Sequence, residues 1–293
     1  MRQHGRESMK HVRRFGAVLA VAVVLSACGS GDSDTEEAAS AAPGDDGPVV
    51  TVSDPTFDRV AEIKERGTLR VGMTLQFEPQ MYRDDNNEPA GYDVVLVTKL
   101  AEDLGVELEI SDLEFPALIP GMLAGQFDMI SVGLVNRPAR AELMGFTRPY
   151  VPYRQVVLVN SGKGFTSLDE LNSSSVTFAA LEGSTAAQRV IDNFPNAQLA
   201  ERDQAAAFLE VASGRVDAMI VEEYLARGFM AENSGVEVLG EPLSQSYGRW
   251  AVPRGDVLWL QYVDNWLDFY TASGDLDRWY EETVGPTEGL PGS

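Results

Sequence analysis

Short β-type runs alternate with amphipathic stretches along most of the chain. From about residue 56 onward, the runs that predict strands cover residues 68–73, 107–111, 129–132, 155–159, 176–180, 218–221 and 250–252. Apolar residues at helical spacing predict helices at residues 92–104, 116–123, 185–193, 205–213, 224–231 and 257–272. Strands that alternate with helices favour an α/β fold with a mostly parallel sheet.

The alternation runs through one series up to about residue 159 and restarts at residue 176. Two such series in succession predict two lobes, and ligands preferentially bind in the cleft between lobes. We find no internal repeat at the periods typical of solenoid proteins, which excludes that architecture.

The first 27 residues have the pattern of a targeting segment. Residues 10–14 are rich in basic side chains, and the apolar run 16–25 is too short to span a bilayer as a helix. Leu25-Ser26-Ala27-Cys28 then resembles the lipobox of bacterial lipoproteins, in which Cys28 becomes the lipidated first residue of the mature chain. The alternative is an ordinary secretory signal with a chance cysteine. Met1 and Met9 are both candidate starts.

Removal of residues 1–27 would strongly restrict the chemistry of the mature chain. Both histidines, His4 and His11, would be lost, and Cys28 is the sole cysteine. Ser-His and Cys-His nucleophilic catalysis and zinc sites built on His or Cys are then excluded. The formal charge of −22 for the whole chain argues against nucleic acid as a partner. Carboxylate chemistry or plain binding remains, and we expect no metal and no cofactor.

Residues 28–55 are rich in Gly, Ser, Asp, Glu, Ala and Pro and have no apolar period. This composition cannot bury a core, so it predicts a flexible acidic tether between the lipid anchor and the folded domain. A structured N-terminal arm is the alternative.

The region 128–150 contains the clearest candidate for ligand binding. A predicted buried strand stops at Gly133, and two arginines, Arg137 and Arg140, follow it. A guanidinium just past a strand end can bind a carboxylate through two parallel hydrogen bonds. Open α/β sheets bind their ligands at that edge. We therefore expect Arg140 to hold an anionic group of a small solute.

Seven segments carry a family signature, in a fixed order along the chain. They are GTLRVG (67–72), PAGYD (89–93), FPALIPG (115–121), GQFD (125–128), PARA (138–141), FTRPY (146–150) and GRVDA (214–218). With these segments the chain resembles the extracellular solute-binding proteins of bacterial polar amino acid ABC transporters, solute-binding family 3. The resemblance covers about residues 67–285.

The resemblance implies a two-lobed α/β fold of the type II periplasmic-binding-protein kind. The ligand would lie in the inter-lobe cleft, and two crossing strands near residues 154–157 and 246–249 would act as the hinge. Lobe 1 would comprise residues 56–154 and 248–293, and lobe 2 would comprise residues 155–247.

The same resemblance implies roles for individual residues. Arg140 would clamp the α-carboxylate of the ligand, Phe77 and Phe115 would stack on it, and Gly133 would let the backbone approach it. The alternatives are a surface position for Arg140 and core packing for the aromatic residues.

In the second lobe, Ser184 and Thr185 open a helix directly after a strand. Unpaired N–H groups and hydroxyls at such a position can receive an anion, and the family uses this loop for the ligand carboxylate. A simple helix cap is the alternative.

Four positions depart from the family pattern. Glu222 replaces an Asp that contacts the α-ammonium, and Val135 replaces a hydroxyl-bearing residue. Gln80 replaces an aromatic residue, and Arg137 replaces a small polar one; solvent exposure is the alternative for Arg137. An amino acid is the leading expectation for the ligand, with a compact anion or a zwitterion of different spacing as alternatives.

The predicted function is that of a monomeric, extracytoplasmic, membrane-anchored receptor that delivers a small solute to ABC permease subunits. The chain would then not be an enzyme. One alternative is a secreted enzyme of the same fold, similar to prephenate or arogenate dehydratases, with Glu222 or Glu78 as its acid. The other is a ligand-sensing lipoprotein.

Overall fold

A computed structural model describes residues 57–285. The predicted signal segment 1–27, the lipidation site Cys28 and the tether 28–55 lie outside the described residues. The helices are α1 (Arg59–Arg66), α2 (Tyr92–Leu104), α3 (Phe115–Leu123), α4 (Pro138–Ala141), α5 (Thr185–Asn193), α6 (Gln204–Ala212), α7 (Glu223–Glu232), α8 (Val257–Ser273) and α9 (Asp275–Thr283). None of the helices within residues 57–285 combines the length and apolar composition needed to span a bilayer.

Most strands form one sheet with the order β5-β1-β6-β11-β7-β10-β8-β9. A small separate sheet has the order β2-β3-β4. The strands are β1 (Thr68–Met73), β2 (Gln76–Phe77), β3 (Met81–Arg83), β4 (Pro89–Ala90), β5 (Glu107–Asp112), β6 (Met129–Leu134), β7 (Met144–Asn160), β8 (Thr177–Leu181), β9 (Gln198–Arg202), β10 (Ala218–Glu222) and β11 (Val236–Pro253).

The large sheet consists of two parallel parts joined by two long antiparallel strands. Strands β5, β1 and β6 are parallel on one side, and β10, β8 and β9 are parallel on the other. Between them, β7 and β11 pair with each other from Val236↔Asn160 to Pro253↔Met144. The predicted two-part α/β architecture with two crossing strands is therefore confirmed, whereas the lobe boundaries at residues 154/155 and 247/248 stay predictions.

The two crossing strands are much longer than the sequence pattern predicts. The predicted strands 155–159 and 250–252 are only the ends of β7 and β11. Pro149 and Pro152 interrupt the apolar pattern of β7, and proline ordinarily argues against a central strand. The ladder accommodates such irregularities because its register shifts at several points, including between Gly248 and Arg249, which pair with Val151 and Pro149.

The helices with clear periodicity agree with prediction. Helix α2 covers the predicted residues 92–104, and Leu96, Leu100 and Leu104 on its apolar face are buried. Helix α5 likewise covers the predicted residues 185–193.

Several short elements have no counterpart in the predicted pattern. They are α1, α4, α9, β9 and the small sheet β2-β3-β4. Strand β9 is an edge strand with mostly exposed polar side chains, so it carries little of the apolar signal that reveals a buried strand. Helix α1 is recognisable from its ends: Asp58 accepts a hydrogen bond from the Ala61 amide at 3.1 Å, and Gly67 ends the helix with φ 75°.

Candidate functional site

A cavity lies where strands from both parts of the sheet end. Strands β6, β8 and β10 contribute residues from their carboxyl ends, where α/β sheets ordinarily bind ligands. The space is about 500 Å³, counted with the part open to solvent. Its lining consists of Phe77, Phe115, Val132, Gly133, Leu134, Val135, Arg140, Tyr153, Leu181, Ser184, Thr185, Ala186, Gln204, Glu222, Tyr224 and Leu225.

The structure brings most of the sequence-predicted site residues to this cavity. Those that line it are Phe77, Phe115, Gly133, Val135, Arg140, Ser184, Thr185 and Glu222. Gln80 and Arg137 are not part of the lining: Gln80 lies behind it, and Arg137 lies beside Arg140. That these residues bind a ligand stays a prediction.

Arg140 presents a buried cation to the cavity. Its side chain donates from Nη1 to the Val135 carbonyl and from Nη2 to the Gly183 carbonyl, each at 3.0 Å. Only 4% of the residue is exposed, and Nε has no hydrogen-bond partner among the described residues. Burial, reinforced by repulsion from Arg137, lowers the pKa of Arg140 to about 10. A guanidinium in this environment is stabilised by an anion that accepts from its free edge.

Arg137 contacts the same carbonyl as Arg140. Its Nη2 donates to Gly183 O at 3.4 Å, so two guanidinium groups from the segment after β6 meet the loop that precedes α5. Arg137 thereby lies at the edge of the site and adds positive potential to it.

The start of α5 faces the cavity from the other part of the sheet. Ser184 caps this helix by accepting a hydrogen bond from the Ala187 amide at 3.1 Å. The next two residues, Thr185 and Ala186, line the cavity, and first-turn amides have no partner within their own helix. Together with the helix dipole, these amides make a second favourable place for an anion.

Glu222 supplies a negative charge in the same cavity. Its Oε1 accepts a hydrogen bond from Gln155 Nε2 at 2.9 Å, and Gln155 Oε1 accepts from Arg189 Nε at 2.5 Å. Burial raises the pKa of Glu222, while the hydrogen bond from Gln155 and the charge of Arg189 oppose that shift. The carboxyl group can therefore bind a cation when ionised or supply a proton when protonated.

Gly133 has a structural requirement besides any contact with a ligand. Its φ is 59°, and a Cβ atom built there would lie 1.6 Å from the Tyr153 hydroxyl oxygen. The close approach of Tyr153 thus requires glycine at this position.

A buried carboxylate, Asp93, holds the strand end behind the cavity. Its Oδ2 accepts from the Tyr150 hydroxyl at 2.5 Å and from the Ser131 hydroxyl at 2.7 Å, and its Oδ1 accepts from Gln80 Nε2 at 2.9 Å. The Tyr150 hydroxyl in turn accepts from the Gly133 amide at 2.9 Å. The backbone at the cavity wall is therefore fixed by a chain of hydrogen bonds that begins at Asp93.

Gln80 connects this network to both parts of the sheet. Its Oε1 accepts hydrogen bonds from Tyr153 and from Tyr224, each at 2.8 Å. Both tyrosines line the cavity, and Tyr224 follows β10 on the far side of the crossing strands. Gln80 thus stabilises the closed cavity without lining it.

We expect Asp93 to make stability pH-dependent. Burial, opposed by three hydrogen bonds, raises the pKa of Asp93 from its ordinary value to about 6. As the pH falls from 7 to 5, the folded chain gains a proton at Asp93 that the unfolded chain does not, so folding is favoured. Relative to Asp93→Asn, the wild type should gain about 1 kcal/mol in unfolding free energy over this range. Urea unfolding of both proteins at the two pH values measures the difference. An equal change in unfolding free energy for the wild type and Asp93→Asn would contradict the prediction.

Four polar residues that line the cavity or donate directly to Glu222 are absent from the sequence-based set. They are Tyr153, Gln155, Gln204 and Tyr224. Tyr224 carries a recognisable signal, because it lies just after the predicted strand 218–221, at the edge where ligands bind. Gln204 follows β9, which the sequence pattern does not reveal. Tyr153 and Gln155 carry none, since they lie within the proline-interrupted strand β7.

Comparisons with known proteins agree on a single family. The pattern of the bacterial extracellular solute-binding proteins, family 3, matches residues 69–286. A cyclohexadienyl dehydratase from Pseudomonas aeruginosa is 26% identical over 234 residues, covering 76% of this chain and 86% of the relative.

Two solved structures extend this likeness to three dimensions. The ancestral amino acid-binding protein AncCDT-1, a precursor of cyclohexadienyl dehydratase, superposes with a TM-score of 0.72 at 31% identity, over 78% of this chain and 100% of the other. An ancestral arginine-binding protein bound to arginine has a TM-score of 0.69 at 30% identity, over 75% and 99% of the respective chains. These likenesses confirm the predicted fold class.

Proposed function

Because the chain belongs to family 3 of the bacterial extracellular solute-binding proteins, we propose that it binds an α-amino acid or a close derivative for an ABC importer. The observation that carries the proposal is the presence of Arg140 and Glu222 in the lining of one cavity. A cation and an anion that both face a small, largely apolar space match the two charges of a zwitterion.

The carboxylate of such a ligand would bind between Arg140 and the start of α5. Arg140 retains the free Nε edge for this purpose, and the amides of Thr185 and Ala186 approach from the other part of the sheet. The ammonium group would bind Glu222, which Gln155 orients. Because these groups come from both sides of the cavity, the ligand would favour the closed arrangement.

Similar proteins of solved structure support an amino acid as the ligand. AncCDT-1 is described as amino acid-binding, and a second similar structure is an arginine-binding protein bound to arginine. A simple inorganic anion would leave Glu222 without a cationic partner, which argues for a zwitterion.

The N-terminal sequence supports delivery at a membrane surface. A lipid on Cys28 followed by the acidic tether 28–55 would keep a monomeric receptor close to its permease while letting it collect solute. Incorporation of labelled palmitate into the wild type, and its loss in Cys28→Ala, tests this anchor.

A thermal-shift screen over amino acids, amines and small organic acids tests the proposed function. We expect at least one α-amino acid to raise the melting temperature by about 5–10 °C at 100 times its Kd, because ligand stabilises the folded state by about 2.7 kcal/mol. The matching amine and the matching carboxylic acid, each lacking one charge, serve as controls and should give far smaller shifts. A screen in which no amino acid stabilises the protein would contradict the proposal.

Dehydration of prephenate or arogenate is a second candidate function. It is favoured by Glu222, a carboxyl group with a raised pKa in a largely apolar cavity, and by the similarity to a cyclohexadienyl dehydratase. Incubation with prephenate or arogenate distinguishes the candidates. Turnover by the wild type that is lost in Glu222→Gln supports the enzyme, whereas amino acid binding without turnover supports the receptor.

A further inference from the structure

Gln204 has an unused hydrogen-bonding group at the cavity. It is the first residue of α6, whose N-cap Asp203 accepts a hydrogen bond from the Ala206 amide at 2.8 Å. Gln204 is 5% exposed and lines the cavity, and its Nε2 has no hydrogen-bond partner among the described residues. A buried amide left unpaired is costly, so its position at the wall indicates a ligand group as its partner.

The charges of the cavity lining restrict what that ligand group can be. Among the described lining residues, Arg140 and Glu222 are the charged ones. The proposed function assigns them to the carboxylate and the ammonium of the amino acid. A third charge on the ligand side chain would then be enclosed without a counter-charge, which is strongly unfavourable.

The space just outside the cavity does carry further charges, but they face solvent. Glu114, Glu182, Arg202 and Asp203 line this outer space, and all four are exposed. Arg202 is paired there with Glu210 at 3.2 Å. Exposed and paired groups are screened by water and ions, so they discriminate weakly between charged side chains.

We infer that Gln204 selects an amino acid whose side chain ends in an uncharged carboxamide, as in glutamine. Two primary amides can pair reciprocally, since each has an N–H donor and a carbonyl acceptor. Such a pair satisfies Nε2 of Gln204 without adding charge, whichever way the two amides are oriented. The apolar side chains of Leu181 and Leu225 in the same lining suit the methylene groups of such a ligand. This inference rests on the proposed function and deepens it.

Calorimetric titration with glutamine, methionine, lysine and glutamate tests the inference. Methionine is the matched ligand, because it has similar length and no amide. We expect the wild type to bind glutamine at least about 10-fold more tightly than methionine, since an unpaired amide disfavours the apolar analogue. Lysine and glutamate should bind more weakly than glutamine.

Two variants separate the role of Gln204 from the integrity of the cavity. Gln204→Leu should weaken glutamine binding by about 10-fold or more and leave methionine binding within about 3-fold. Gln204→Glu, of nearly the same shape, should shift preference toward lysine. Retained methionine binding and an unchanged melting temperature without ligand would show that the Leu variant is folded.

The outcomes distinguish this inference from the proposed function. Three results would each overturn the role of Gln204. The first is equal affinity of the wild type for glutamine and methionine, and the second is tighter binding of lysine or glutamate than of glutamine. The third is an equal loss of affinity for glutamine and methionine in Gln204→Leu. Amino acid binding itself would still stand in those cases. Failure of all amino acids to bind would overturn both.

Discussion

Arg140→Ala should weaken binding of the amino acid ligand by about 100-fold or more. The wild-type side chain is 4% exposed and leaves its Nε edge free for the ligand carboxylate. Hydrogen bonds to charged groups contribute about 1.5–3 kcal/mol each, so the loss of two corresponds to at least about 3 kcal/mol. Titration calorimetry with a ligand found in the thermal-shift screen measures the effect. Arg140→Lys keeps the charge but loses the planar pair of donors, so its affinity for the ligand should lie between those of the wild type and Arg140→Ala.

Arg137→Ala is the matched control for this experiment. Arg137 lies three residues from Arg140 and contacts the same Gly183 carbonyl, yet it is not part of the cavity lining. Its removal should change affinity by only a few-fold, because a neighbouring charge acts through a long-range field and not through direct hydrogen bonds. The assignment of Arg140 as the carboxylate clamp fails if Arg140→Ala keeps wild-type affinity, or if the two alanine variants lose affinity equally.

Asp128→Ala should lower the melting temperature by about 10 °C. The Asp128 side chain is fully buried and accepts from Arg66 Nη2 at 2.5 Å, from Arg70 Nη2 at 3.0 Å and from the Arg70 amide at 2.9 Å. Arg59 Nη1 lies 3.5 Å from Asp128 Oδ1. Removing the carboxylate takes the buried anion away from neighbouring guanidinium groups, of which Arg59 and Arg66 keep only the more exposed Glu62 in common. Breaking a buried charge cluster costs about 3–5 kcal/mol. Differential scanning calorimetry measures the change.

Asp217→Ala provides an internal control for Asp128, because it occupies the equivalent place in the second half of the sheet. Asp217 precedes β10 as Asp128 precedes β6, and it accepts from the Thr177 amide at 2.8 Å. Its ion pair with Lys163, at 2.9 Å, has side-chain exposures of 15% and 38%, so it is more accessible to water. We expect Asp217→Ala to cost about 1 kcal/mol. Equal losses in the two variants would contradict the argument that burial and multiple arginines set the difference.

The extent to which sequence patterns predicted the fold depended on how local each signal was. Helix α2 was predicted at residues 92–104 because its apolar period is regular and uninterrupted. The crossing strands β7 and β11 were recognised only in part. Their prolines, glycines and register shifts are tolerated because each strand pairs with distant neighbours on both sides.

The sequence predicted some residues of the candidate site and missed others, for a related reason. Arg140 follows a clear apolar strand, so its place at the sheet edge could be read from the chain, whereas Glu222 was assigned from the resemblance to solute-binding family 3. Gln80 was predicted to face the ligand, but in the structure it binds Asp93, Tyr153 and Tyr224 behind the cavity wall. Gln204 was missed because a glutamine at the start of a helix is ordinarily exposed.

The sequence by itself placed the cation Arg140 at the cavity, because carboxyl ends of parallel strands gather at one edge of each half of the sheet. The resemblance to solute-binding family 3 added the acid Glu222. Only the tertiary structure decided how these groups are supported. Gln80 accepts hydrogen bonds from Tyr153 and Tyr224, which lie 73 and 144 positions further along the chain. No local period encodes such pairings. They arise because closing the two halves of the sheet excludes water, so each buried polar group must find its partner on another segment.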